Sequence, residues 1–153
     1  RKPMTVGKAK GKRAPRAVNW HVVRDLEPQT RARLRAARPG RTWLEIDDDL
    51  RPECHRGDYA GFSNVYGRMR WNQVPVTITA GCTTACKGRF GHPQRLNTIS
   101  VREAASIQTF PKSYRLATDF MHVACDTIGN AVPPMFAEHL GRAIRRSIAS
   151  QLA

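Results

Sequence analysis

At 153 residues, with 41% hydrophobic and 25% charged residues, the chain is long enough for about one domain with its own core. No apolar run approaches the roughly 20 residues that span a bilayer, and no apolar stretch follows the basic start as it would in a signal peptide. A membrane or secreted protein is therefore not expected, and a cytoplasmic location is. The formal net charge of +14 attracts polyanions, nucleic acid first among them.

Residues 1–17 carry Lys2, Lys8, Lys10, Lys12, Arg13 and Arg16 with no apolar period, and read as a basic linker or tail. The first residue is Arg1 rather than Met, which suggests a fragment. "VNWHVVRDL" (Val18–Leu26) reads as a strand end or a helical turn. Arg31–Arg38 favours helix, and Pro39-Gly40 stops it. From residue 41 to 93 the character changes: glycines at 57, 61, 67, 81, 88 and 91 and prolines at 52, 75 and 93 break up short apolar pieces. There "VYGRMRW" and "VPVTIT" predict short twisted strands joined by irregular loops.

The last third turns helical. Ser100 followed three residues later by Glu103 is a capping box, and Phe110-Pro111 ends that helix. Pro133-Pro134 opens a second helix, with proline in the first turn where its missing N–H does no harm. Phe136, Leu140, Ile144 and Ile148 recur every four residues and predict a buried stripe, with Arg142, Arg145 and Arg146 off it. One short and one amphipathic helix cannot build a core alone, so the stripe needs a partner surface.

The four cysteines, Cys54, Cys82, Cys86 and Cys125, read as reduced thiols, since nothing else looks secreted or disulfide-dense. A zinc site would draw on Cys54, His55, Cys82, Cys86 and His92. Its C-x3-C spacing lacks a matching second pair, so no metal is expected.

Two late stretches go beyond composition. "NTISVREAASIQTFPKSY" (Asn97–Tyr114) resembles the ninth sequence block of the DNA (cytosine-5) methyltransferases, and "TIGNAVPP" (Thr127–Pro134) resembles their tenth. Upstream, "YGRMRWNQVPVTIT" and "GRFGHP" resemble the recognition region of one subgroup. Order and spacing fit from about residue 41 to 152. Thr127 stands where the family has Gln; Ser106, Thr109 and Lys112 stand where it has Arg, Gly and Asp.

The resemblance implies an α/β, or α+β, fragment with three parts. Residues 1–17 would be the basic tail and 18–96 a small β- and loop-rich target recognition region. Residues 97–153 would be the carboxyl-terminal helices of a Rossmann-like, S-adenosylmethionine-dependent catalytic domain. Asn130, Ala131 and Val132 would contact the cofactor. Arg68, Arg70, Thr77 and Ile78 would meet double-stranded DNA, with Arg89 and His92 weaker candidates. Arg102 and Glu103 would brace the recognition region.

The family's activated Pro-Cys thiolate attacks a flipped cytosine before methyl transfer to carbon 5. None of the four cysteines here follows a proline. No catalytic residue is therefore assigned, and an amino-terminal catalytic half is expected in the same protein or in a separate subunit. Three readings follow: the carboxyl-terminal part of a restriction–modification methyltransferase, the specificity subunit of a split one, or a basic DNA-binding module without activity.

Overall fold

The computed structural model of the chain describes residues 3–6 and 19–152. The basic side chains from Lys8 to Arg16 lie outside the described residues. Three residues of the stretch read as a tail do have structure: β1 (Met4–Val6) pairs in parallel with β2 (Val22–Arg24), in the register Met4 to Val22. Four helices follow, α1 (Pro28–Ala36), α2 (Val101–Ile107), α3 (Met121–Gly129) and α4 (Pro134–Gln151). The described chain is thus a small mixed α/β unit with few strands. No described helix is long and apolar enough to cross a membrane.

The expected strands in the middle do not form. Residues 39–98 are held instead by isolated bridges, Pro39 to Arg68, Arg68 to Gly91 and Gly91 to Thr98, and by short 3-10 turns. The reason is local. Tyr66 takes a left-handed conformation (φ 52°), which no strand continues through. Gly67 and Gly91 let neighbouring backbones approach more closely than any side chain allows: a Cβ on Gly91 would sit 2.6 Å from the Gly67 carbonyl oxygen.

The main core joins the two halves of the chain. Trp20, Met69, Ile78, Cys82 and Phe90 pack with Val101, Ala104, Met121, Ala124 and Ile128 from α2 and α3. Val101, Ala104 and Ala105 point inward from α2, whose first turn is closed by the capping box. Ser100 Oγ accepts from the Glu103 N–H at 3.1 Å, and Glu103 Oε2 accepts from the Ser100 N–H at 2.7 Å. A second, smaller cluster gathers Ala37, Trp43, Ile46 and Val65 after α1.

α3 is an element that the sequence reading does not predict, although Met121, Ala124, Cys125 and Ile128, all buried, follow a clean i, i+3, i+4, i+7 pattern. The apolar stripe expected on α4 meets no partner surface among the described residues. Phe136, Leu140, Ile144 and Ile148 are each at least half exposed, and no residue of the helix is buried.

Candidate functional site

The turn from Gly129 to Pro134 is gripped from two sides. From α2, Gln108 is buried and its Nε2 donates to the Ile128 carbonyl at 3.1 Å and the Ala131 carbonyl at 3.5 Å. The next residue, Thr109, sits at φ 62° and its Oγ1 accepts the Met135 N–H at 3.1 Å. That hydroxyl satisfies one of the orphan donors at the start of α4, where Pro133 and Pro134 offer none. From the other side, the backbone of Thr79 and Ala80 lies directly on Gly129. A Cβ there would overlap the Thr79 carbonyl group and the Ala80 nitrogen. The glycine thus permits a backbone-to-backbone contact with Thr79 and Ala80.

What remains outward on the turn is chemically simple. Asn130 closes α3 through its backbone N–H to the Asp126 carbonyl, and its exposed carboxamide has no hydrogen bond among the described residues. Ala131 is half-buried, and Val132 is 60% exposed. A free amide beside a small apolar surface can donate and accept hydrogen bonds and cover apolar ligand atoms. These residues fit one edge of a nucleoside–amino-acid cofactor.

The segment that packs on the turn is marked by charge. No Asp or Glu occurs between Asp58 and Glu103, while Arg68, Arg70, Lys87, Arg89, Arg95 and Arg102 do. This carboxylate-free stretch is a signal in the sequence that motif matching alone overlooks. The structure sorts these cations. Arg68 is buried; its guanidinium donates to the His92 carbonyl at 3.1 Å and the Pro93 carbonyl at 2.6 Å. The expectation that it reaches DNA is revised, because its donors face inward. Arg95 pairs with Glu103. Arg102 donates to the Asn19 carbonyl at 2.9 Å, the Asn19 Oδ1 at 2.7 Å and the Tyr114 carbonyl at 3.0 Å. Arg89 gives one N–H to the Gly40 carbonyl at 3.1 Å and is half-buried. Arg70 and Lys87 remain exposed, and their side chains make no hydrogen bond among the described residues.

Thr77 and Ile78 point opposite ways. Thr77 is exposed, whereas Ile78 is 4% exposed and belongs to the core. Thr77 therefore stands out from a backbone anchored on one side by Ile78 and, two residues on, by the Thr79–Gly129 contact.

Three titrating groups are shaped by this packing. Burial alone raises the Glu103 carboxyl, but the Ser100 N–H, Arg95 and His92 outweigh it and hold it below its ordinary value. His92 is held below 6.5 by burial and by Arg95 and Arg68, against the pull of Glu103. Its Nδ1 accepts the N–H groups of Gln94 and Arg95, each at 3.0 Å, so the neutral ring carries its proton on Nε2. The Cys82 thiol is pushed up, first by its hydrogen bond to Cys125 and then by burial. Both sulfurs are buried, while Cys54 and Cys86 are exposed. The five residues considered for zinc are not gathered: among the described residues, no group of three or more His, Cys, Asp or Glu is arranged to hold a metal ion.

A basic stretch without carboxylates is thus packed, through Thr79 and Ala80, onto the Gly129–Pro134 turn. The family model of the C-5 cytosine-specific DNA methylases matches residues 29–146, a span that takes in both features. The chain belongs to that family. It is 42% identical over 135 residues to Type II methylase M.HgiDII of Herpetosiphon aurantiacus, covering 85% of this chain and 37% of the relative. It is 40% identical over 90 residues to Type II methyltransferase M1.BsuMI of Bacillus subtilis (strain 168), covering 59% of this chain and 21% of the relative. To DNA (cytosine-5)-methyltransferase 1A of Oryza sativa subsp. japonica it is 30% identical over 149 residues, covering 86% of this chain and 10% of the relative. The chain thus spans a little over a third of the first of these relatives and less of the others.

Proposed function

We propose that this chain supplies the target recognition region and the last elements of the S-adenosylmethionine site of a DNA (cytosine-5) methyltransferase, acting in restriction–modification in the cytoplasm. The observation that carries this reading is the clamp on the Gly129–Pro134 turn. Thr79 and Ala80, just beyond Thr77, rest on the turn that offers Asn130, Ala131 and Val132. DNA contact and cofactor contact are thereby set at a fixed spacing by backbone packing.

In this reading double-stranded DNA lies on the carboxylate-free face. Arg70 approaches phosphate or a guanine edge, Thr77 faces the target bases, and Arg89 supports both from beside Gly40. Ile78, Arg68, Arg102 and Glu103 hold that face in place from within. The cofactor supplies an electrophilic methyl group for carbon 5 of the flipped cytosine. This chain's own part is to bind and orient: the Asn130 carboxamide hydrogen-bonds the ligand, and Ala131 and Val132 cover its apolar atoms.

The Pro-Cys nucleophile comes from an amino-terminal catalytic half, joined in the same protein or carried by a separate catalytic subunit for which this chain is the specificity subunit. That half completes the Rossmann-like domain and covers the exposed face of α4. A stripe of four large apolar side chains at half exposure supports this over a free-standing DNA-binding module.

The test is to purify the chain, combine it with a catalytic half bearing the Pro-Cys segment, and follow labelled methyl from S-adenosylmethionine into duplex DNA. Transfer is expected only from the combination. Asn130→Ala should raise the cofactor KM, and Thr77→Ala should change which sites are methylated. Transfer by this chain alone, or no association between the halves, would refute the proposal. A Thr77→Ala variant with unaltered site preference would favour the non-specific module.

A further inference from the structure

The segment from residue 70 to 77 is an exposed tongue between two buried anchors, Met69 and Ile78, with only Val76 partly covered. Its side chains are unusual for a surface loop. Trp71 is 68% exposed and Val74 88% exposed, while Arg70, Asn72 and Gln73 fill the positions around them. The other two tryptophans, Trp20 and Trp43, are buried at 7% and 5%. A large ring left in water needs a reason, because covering an aromatic side chain is among the largest single gains a surface can make.

Trp71 is exposed but held. Its ring meets His92 edge-to-face at 5.5 Å. His92 is itself fixed by the two backbone N–H groups on its Nδ1. Beneath the indole lies a cleft of about 280 Å³ walled by Met69, Pro75, Pro93, Ile99 and Ile107. Glu103 also reaches this cleft, but its carboxylate is already engaged by Arg95 and the Ser100 N–H. The site is therefore apolar, aromatic on one wall, and flanked by the free cation Arg70.

We propose that Trp71 and the cleft it overhangs form a nucleobase-stacking site, which takes an unstacked base of the DNA bound on this face. The proposal rests on the DNA-recognition reading given above. Charge selects the occupant. With no carboxylate between Asp58 and Glu103 and Arg70 beside the ring, the surroundings suit a polyanion that carries flat apolar rings. A stacking platform is sequence-tolerant, so the site adds affinity for an opened base, while reading of base edges stays with Arg70, Asn72, Gln73 and Thr77.

Tryptophan fluorescence tests this in the full chain, because Trp71 is the one exposed indole among the described residues. The probes are a short duplex containing one mismatched pair, whose bases unstack readily, and its fully paired counterpart. Binding of the mismatched duplex should quench Trp71 and shield it from acrylamide. Trp71→Ala should weaken that binding about tenfold, with an unchanged salt slope, while Trp71→Phe keeps most of the affinity. Arg70→Ala should instead lower the salt slope by about one.

If both duplexes bind and Trp71 stays open to acrylamide, the stacking site is refuted and the DNA-recognition reading stands. If the chain binds neither duplex, both fail together. If Trp71 becomes shielded when the catalytic half is added without DNA, the ring is a subunit contact and the proposal is overturned.

Discussion

Replacing Gly129 by alanine sets two effects of opposite sign against each other. Gly129 is the last residue of α3, and alanine is better than glycine in a helix by about 0.5–1 kcal/mol. Taken alone, that would stabilise the chain. The added Cβ, however, would overlap the Thr79 carbonyl group and the Ala80 nitrogen, which are backbone atoms and cannot swing aside. Overpacking of this kind costs about 1–3 kcal/mol, so the net loss should be about 1–2 kcal/mol. For a chain of this length that lowers Tm by roughly 3–6 °C. Thermal unfolding followed by circular dichroism reads it directly. Gly141, inside α4 with open space where a Cβ would go, is the matched control: Gly141→Ala should raise stability. A Gly129→Ala variant that also gains stability would refute the interlock between the Thr79–Ala80 backbone and the turn.

Thr109 gives a second, ordered pair. Thr109→Ala keeps the left-handed backbone and loses the acceptor for the Met135 N–H, so it should cost about 1 kcal/mol. Thr109→Gly loses the same acceptor but relieves the backbone strain, and should fall within about 0.5 kcal/mol of the parent in urea unfolding. An alanine variant as stable as the glycine one would contradict this. pH gives a third prediction. His92 and His55 both have folded pKa values below their ordinary 6.5, so the unfolded chain binds protons first. Their contribution is complete above about 6.5 and is lost as pH falls from there toward the folded values. Glu103 acts later, its contribution persisting until pH falls through a value below its ordinary 4.5. Tm should therefore drop between pH 7.5 and 5.5, and His92→Asn, which keeps an acceptor but cannot titrate, should flatten that slope. A Tm independent of pH over this range would overturn the assignment of neutral buried imidazoles.

What the sequence revealed depended on how local the controlling interaction was. The capping box of α2 and the proline-led start of α4 were legible because partner and partner lie within four residues. α3 was harder to see because two of its four inward residues, Ala124 and Cys125, are small, which blurs the stripe that Met121 and Ile128 complete. The strands expected at "VYGRMRW" and "VPVTIT" failed for a non-local reason: Gly67 and Gly91 bring backbones together face to face, and side-chain alternation cannot report that. Arg68 and Arg70 show the same limit at the site. They look alike in sequence, yet Arg68 is locked on two carbonyls and Arg70 stands in solvent. Only the path of the chain past residues 91–93 separates their roles.

α4 carries the same lesson to a functional end. Four-residue spacing of Phe136, Leu140, Ile144 and Ile148 identifies an apolar face, but says nothing of what covers it. Among the described residues, the 18-residue helix, about 27 Å long, is tied down near its start, by Thr109 and the Pro133–Pro134 entrance. Its polar side is well served, with Arg142 paired to Glu138 one turn back. A helix stabilised locally on one side and left apolar on the other is built to be met by a further surface. The turn that begins this helix also carries the exposed carboxamide of Asn130. Any surface that covers α4 therefore acts, through Thr109, Gln108 and Gly129, on the same turn on which Thr79 and Ala80 rest. The packing of α4 and that of the segment around Thr79 thus converge on six residues, 129–134.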